Sequence, residues 1–205
     1  MSSSRISSRV RVSFDDTHLV DHAGLLLTAS LSDRLGLDEL LTSRVRLGVS
    51  SIGANAAAKS MTVVHSLLAG GDCIDDIDAL RAGATAAVLG HRVVAPSTVG
   101  SFLRAFTPGH VAQLDAVGGE LLARAWAHEP ARTTTVIDID STLCATFGLG
   151  KDGARQVMRT GRRGYHPLLA IEARTGDVIH ARLRRGRSND GTGAARFVTH
   201  SLARA

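Results

Sequence analysis

Aromatic residues are scarce in this 205-residue chain, which has one Trp, one Tyr and five Phe, 3% of the total. A core built from it is therefore aliphatic, of Leu, Val, Ile and Ala. Cysteine is scarcer still, with only Cys73 and Cys144. Two distant cysteines make neither a disulfide framework nor a zinc-ligand spacing, and they fit a reducing cytoplasm. Long apolar runs are missing. The first, Leu25–Leu27, is too short and too late for a signal peptide. No stretch reaches the ~18–20 apolar residues needed to cross a bilayer. The chain reads as soluble and cytoplasmic, with no membrane partner. Its 44% hydrophobic and 21% charged residues are an ordinary globular composition that excludes wholesale disorder.

Negative charge thins out toward the end. Residues 1–150 hold 12 basic and 15 acidic residues, whereas residues 151–205 hold 12 basic and 4 acidic ones. The formal +5 of the chain therefore comes from its last quarter, and nearly all of that excess is Arg. The planar Arg fork matches pairs of phosphate oxygens, so a polyanionic partner is the expectation. A solvated Arg-rich surface is the plain alternative.

Periodicity divides the chain. Residues 1–22 form an N-terminal arm in which Arg9–Phe14 (RVRVSF) alternates as a short strand does. Residues 23–131 are helical. Leu25, Leu26, Ala29 and Leu35 open one segment, and Leu37, Leu40, Leu41 and Val45 come after Gly36. Asn55–Ala69 carries a stripe of Ala57, Met61, Val64 and Leu68 and stops at Gly70-Gly71. Asp75–Ala82 is a short helix. Pro96-Ser97-Thr98 starts another, with Val99, Phe102, Leu103 and Phe106 on one face. A long helix runs from Gly109 to Ala127. The pair 75–82 and 97–106 suggests a helix-turn-helix-like unit offering Thr98, Ser101 and Arg104 to DNA. A plain helical bundle is the alternative.

At residue 132 the pattern changes. Thr133–Ile139 is β-branched, a buried strand by composition. Residues 141–165 read as a glycine-rich basic loop. Pro167–Glu172 and Val178–Leu183 read as strands joined by a turn at Thr175-Gly176-Asp177. Residues 184–193 form a polar loop and residues 193–205 a final helix. The fold class is α+β, a helical N-terminal domain followed by a β-containing domain at 132–205.

Val136–Leu143 (VIDIDSTL) carries the chemistry. Asp138 and Asp140 stand two apart on a strand, so both carboxylates leave one face while Ile137 and Ile139 enter the core. Two carboxylates on one face of a buried strand are costly unless a cation sits with them. A divalent ion resolves that, Mg2+ taking one or two carboxylates plus water and phosphate oxygens. Capping of the following backbone by one Asp is the competing reading. Cys144, just after, reads as a small buried residue.

Two families resemble this motif. Asp138-Ile139-Asp140-Ser141-Thr142 matches the Asp-x-Asp-x-Thr signature of haloacid-dehalogenase-like phosphatases, which implies Asp138 as phosphoryl acceptor and Asp140 as acid/base. That fold needs a long α/β sheet, a lysine and further acidic residues after the motif, and Lys151 is the one lysine beyond it. More broadly, the chain resembles the DDE transposases of bacterial insertion sequences. IDIDSTLCATFG is similar to their strand ending in Asp-Ser-Thr, and KDGARQVMRTGRR to their variable basic loop. GYHPLLAIEARTGDVIHARLRRGRSND is similar to the stretch of these transposases that opens with a Gly-Tyr-His-Pro-Leu-Leu-Ala strand. GGDCIDDIDALRAG and APSTVGSFLRAFTPGHVAQLD resemble their helical N-terminal region.

The resemblance covers residues 9–205. It implies a partial RNase H-like catalytic domain at 132–205, three antiparallel strands then a helix. Asp140 would be its first catalytic, metal-binding carboxylate, with Asp138 the alternative ligand. It implies Mg2+ or Mn2+ as cofactor, DNA at insertion-sequence ends as partner, and a homodimer on that DNA. Lys151, Arg155, Arg159, Arg162, Arg163, Arg182, Arg184, Arg185 and Arg187 would flank the DNA backbone. The family's second and third carboxylates have no counterpart, because Asp190 suits a helix cap, Asp177 a turn and Glu172 a cross-strand surface pair. The expectation is a truncated transposase, inactive by itself, or a non-catalytic DNA-binding remnant.

Overall fold

The computed structural model describes residues 15–48, 50–130, 133–147, 150–157, 161–189 and 191–205. The arm strand expected at Arg9–Phe14, the basic residue Arg159 and the capping residue Asp190 lie outside the described residues. The chain forms two compact units, Met1–Arg34 with Leu47–Ala105, and Leu35–Arg46 with Phe106–Ala205.

The first unit is helical. It holds α1 (Leu25–Leu35, whose last residue counts with the second unit), α3 (Ala56–Leu68), a single 3-10 turn at Ile74–Asp76, α4 (Ile77–Arg81), α5 (Thr85–Val88) and α6 (Pro96–Arg104). Leu25, Leu80 and Leu89 make a buried cluster with Ala69 and Val93 against it. The buried face of α3 is rotated from the expected stripe. Ala57 and Met61 are inside, but Leu68 is exposed and Lys59, Thr62 and His65 are buried instead. Each of these side chains has at least one polar partner, although His65 Nε2 has none among the described residues. Lys59 Nζ donates to the Ser51 and Ile52 carbonyls at 3.0 and 2.9 Å. Thr62 Oγ1 donates to the Ala58 carbonyl and accepts from Val94 N–H at 3.3 Å. His65 Nδ1 lies 2.8 Å from His91 Nε2. The helix-turn-helix expectation fails on connectivity, since α5 interrupts the path from α4 to α6.

The second unit is α+β. It holds α2 (Leu37–Arg44), α7 (Pro108–Trp126), β1 (Ile137–Ser141), β2 (Cys144–Ala145), β3 (Arg155–Gln156), β4 (Arg163–Tyr165), β5 (Leu168–Glu172), β6 (Val178–Arg182) and α8 (Ala194–Leu202). Pro108 stands at the start of α7, where a missing N–H costs nothing, and Thr107 caps it. The expected antiparallel strands form a sheet in the order β1-β5-β6. Along β5 burial alternates, with Leu168, Ala170 and Glu172 inside. Leu168, Ala170, Ile179 and Phe197 make the core, with Leu122, Trp126 and Ile137 packed on it. A bulge at Ala170/Ile171 in the β5–β6 ladder leaves Ile179 without a partner in the register, and Ile179 and His180 are both buried.

Several local expectations change here. The first strand begins at Ile137, not Thr133, because the pairing with β5 ends at Glu172. Ile139 is 38% exposed, and of the two isoleucines Ile137 is the one packed on the core cluster. Glu172 is buried rather than on the surface, where its Oε2 takes the N–H groups of Arg174 and Thr175 at 3.1 and 2.7 Å and so holds the hairpin turn. Residues 141–165 are not a loop throughout. They contribute a second sheet in the order β2-β4-β3. Cys144, on its outer strand, is exposed.

Candidate functional site

β1 is the outer strand of its sheet, not a central one. Asp138 sits opposite Ile171 and Asp140 opposite Leu169, so both carboxylates share the face turned away from the helix-packed core. Both are exposed. Asp140 Oδ1 accepts a hydrogen bond from the Ser141 N–H at 2.7 Å, a local backbone cap. Solvation removes the burial cost that would have demanded a cation. What recommends the pair as ligands is donor chemistry, namely hard carboxylate oxygens on two residues whose main-chain positions are about 6.6 Å apart along the strand, within reach of one ion for flexible side chains. Neither is in an ion pair with a described residue, which leaves room for water and phosphate oxygens around an ion.

Among the described residues no third ligand joins them. The one group of three at metal-ligand spacing is Asp72, Cys73 and Asp76, in the other unit. There Asp76 is occupied by the main chain, taking the N–H groups of Asp72 and Cys73 at 2.9 Å each. The Cys73 N–H and thiol, then the Asp72 N–H, hold its carboxyl below the usual range.

The two sheets are consecutive lengths of one ribbon. Ile137–Ser141 pairs with Leu168–Glu172, and Cys144 and Ala145 then pair with Tyr165 and Gly164 in the same register. The Thr146 N–H continues it, donating to the Arg163 carbonyl at 2.9 Å. The break falls at Thr142 and Leu143, opposite His166 and Pro167. Pro167 has no N–H to donate, and its carbonyl takes the Thr142 N–H at 3.1 Å. Asp140 therefore stands on the same strand as the basic second sheet.

The Gly-Tyr-His-Pro-Leu-Leu-Ala string builds this ribbon. A Cβ on Gly164 would fall on the Cys144 carbonyl oxygen. The Tyr165 hydroxyl donates to the Asp152 carbonyl at 2.7 Å, and His166 Nδ1 reaches the Ser188 carbonyl at 2.7 Å. Leu168 and Ala170 enter the core. Arg184 ties the string to the segment beyond β6. Its Nε donates to the His166 carbonyl at 2.9 Å, and its Nη1 to the Asn189 and Thr192 carbonyls at 2.7 and 3.1 Å.

The expected basic residues separate into two groups. Lys151, Arg155, Arg162, Arg185 and Arg187 are exposed. Arg163 and Arg182 are half-buried and Arg184 is buried. The Arg182 guanidinium lies 5.7 Å over the Phe197 ring, and Arg184 is spent on backbone carbonyls, so both serve packing.

Residues 3–204 match the family model described as Transposase DDE domain group 1. The chain belongs to this transposase family. No curated protein and no solved structure matches it. Family membership carries transposase function in general terms, with DNA as substrate and divalent metal as the group such domains use. No described helix of the transposase is long and apolar enough to cross a membrane.

One polar cluster of the transposase had no sequence signal. Asp115 on α7 receives both Arg204 and, at 3.2 Å, His180 Nδ1 from β6. Burial raises the Asp115 carboxyl, but the Arg204 hydrogen bonds and charge, with His180, outweigh it and leave it below the usual range. The three residues are 24 to 89 positions apart, and only the bulge in β6 turns His180 inward.

Proposed function

We propose that this chain is a DDE transposase polypeptide that handles insertion-sequence ends through an RNase H-like domain at 132–205, with Asp140 as its first metal-binding carboxylate. In this reading the helical region at 23–131 precedes that domain. The order β1-β5-β6 followed by α8 supports the domain reading, because three antiparallel strands and a helix open that fold. The observation that carries the site is the outward pair Asp138 and Asp140 on a strand that runs directly into a cationic sheet. Asp140, assisted by Asp138, would hold Mg2+ or Mn2+ through hard carboxylate oxygens. When bound, such an ion activates a water or 3′-hydroxyl and stabilises the leaving oxygen in phosphoryl transfer. Lys151, Arg155, Arg162, Arg185 and Arg187 hold the DNA backbone through salt-sensitive, sequence-independent contacts. A homodimer on two DNA ends completes the reading.

Among the described residues two carboxylates stand at this site, and in this reading the chain by itself binds DNA but does not cut or join it. Two measurements test this. Titration with Mn2+ should broaden the amide resonances of residues 138–142, and Asp140→Asn should abolish the effect; equal broadening in both refutes Asp140 as a ligand. Metal-dependent nicking or strand-transfer assays should show no Asp140-dependent product, and turnover that depends on Asp140 overturns the inactivity. Hydrolysis of p-nitrophenyl phosphate lost in Asp138→Asn would instead establish the phosphatase reading.

A further inference from the structure

Phe147 is the most exposed large apolar side chain among the described residues, with 91% of its surface open. Phe102 and Phe197 are buried, and Phe106, Trp126 and Tyr165 are half-buried. One exposed apolar side chain needs no explanation by itself. Its position is what gives it meaning. Phe147 comes after β2, one step past the Thr146–Arg163 hydrogen bond, which brings it level with Arg162 on the neighbouring strand. Beyond Arg162 lies the extension of β3, with the Val157 N–H on the Arg162 carbonyl at 2.8 Å. Arg162, Arg155 and Lys151 are the exposed cations of this sheet and of the segment that leads into it. An apolar ring set among cations does not suit an apolar protein partner. It suits a ligand that is flat and aromatic on one part and anionic on another, which describes a nucleotide in a strand.

Reach agrees with this. Phe147 is seven residues after Asp140, so the two are at most roughly 25 Å apart, about seven nucleotide steps of ~3.4 Å. We propose that Phe147 stacks on an unpaired base of the DNA strand whose phosphates Lys151, Arg155 and Arg162 hold. Inside a duplex both faces of a base are covered, so the ring serves a base that is frayed, displaced or turned out near the reacting phosphate. The inference rests on the DNA reading above and adds to it a preference for unpaired ends.

The test uses the full chain and two fluorescently labelled DNAs, a blunt duplex and the same duplex with a single-stranded tail, with binding read by anisotropy at low salt. The tailed DNA should bind about 5- to 150-fold tighter, the range that one base–aromatic stack supplies. Phe147→Ala should erase this preference at unchanged blunt-duplex affinity and unchanged thermal midpoint. Phe147→Trp should keep it. Joint replacement of Lys151, Arg155 and Arg162 by Ala should weaken both DNAs. A preference that survives Phe147→Ala, or none in the parent chain while duplex binding still needs the three cations, overturns the stacking role and leaves the DNA reading standing. Loss of self-association in Phe147→Ala by sedimentation, with tail preference intact, makes the ring a contact between copies and also overturns it. Absence of binding to either DNA overturns both readings.

Discussion

Replacing Gly164 by Ala should open the ribbon beyond Pro167 and leave the β1-β5-β6 sheet closed. The added Cβ falls on the Cys144 carbonyl oxygen, 3.0 Å from its carbon and 3.1 Å from Ala145 Cα. All three are main-chain atoms, which no rotamer change moves aside. Retreat in the other direction is blocked by Gly186, which packs on the Gly164 carbonyl and whose own Cβ position lies 2.6 Å from the Arg155 carbonyl oxygen. Overpacking of this kind costs about 1–3 kcal/mol. The segment at risk is held by short ladders, two residue pairs on each side of β4, with each hydrogen bond worth about 0.5–1.5 kcal/mol net. The cost is thus comparable to what keeps the segment closed, and the opening equilibrium should rise about 5- to 150-fold. Hydrogen exchange read by mass spectrometry checks it. Peptides covering 144–146 and 161–165 should exchange faster by that factor, and peptides covering 168–172 and 178–182 should not change. Gly118→Ala is the control. It lies inside α7 with no atom within 4 Å of the added Cβ. It should stabilise by roughly 1 kcal/mol, raising the midpoint by about 2–4 °C. Unchanged exchange at 144–146 in Gly164→Ala would refute the continuous ribbon.

Two further outcomes separate structural from binding roles. Arg184→Ala should destabilise by on the order of 3 kcal/mol, about 6–12 °C in the midpoint by circular dichroism, since it removes three charged hydrogen bonds to main-chain carbonyls. Arg184→Lys should recover little of this because an ammonium cannot copy the fork, while Arg187→Ala should leave the midpoint alone and reduce the salt dependence of DNA binding. Acid should weaken both units. Burial, then His91, lowers His65 against the Met61 backbone and Asp33. Burial lowers His180, and Arg204 and Arg182 add to it against Asp115. Folded rings that resist protonation leave stability full above their ordinary value of 6.5 and lost as pH falls below it. The slope is at most about 1.4 kcal/mol per pH unit for each ring. Urea midpoints at two pH values, one on each side, check this, and greater stability on the acid side would refute it.

Helix positions were readable because glycine, proline and apolar spacing act within a few residues. Pro96, Pro108 and Gly70 each stand where the sequence places a boundary. The alternation of Pro167–Glu172 likewise marks a strand with one buried side. What stayed hidden depends on distant partners. The buried Lys59 is tolerated because two carbonyls eight and seven residues back receive it. The second sheet rests on β2 and β3, each two residues long, too short for any period to show. Within the site, the alternation that puts Asp138 and Asp140 on one face was legible, but their exposure was not. Which strand is outermost is set by pairing order and not by the residues of β1 themselves.

Lysine has an uneven fate in this molecule. There are two in the whole chain, Lys59 and Lys151. The first has its ammonium sealed against Ser51 and Ile52, with the ring of Phe102 5.7 Å away, and the second stands in the open. A lysine-directed dye or photocrosslinker applied in native buffer would therefore tag one side chain only, at the edge of the cationic hairpin. A reporter could be placed there without mutating a single residue.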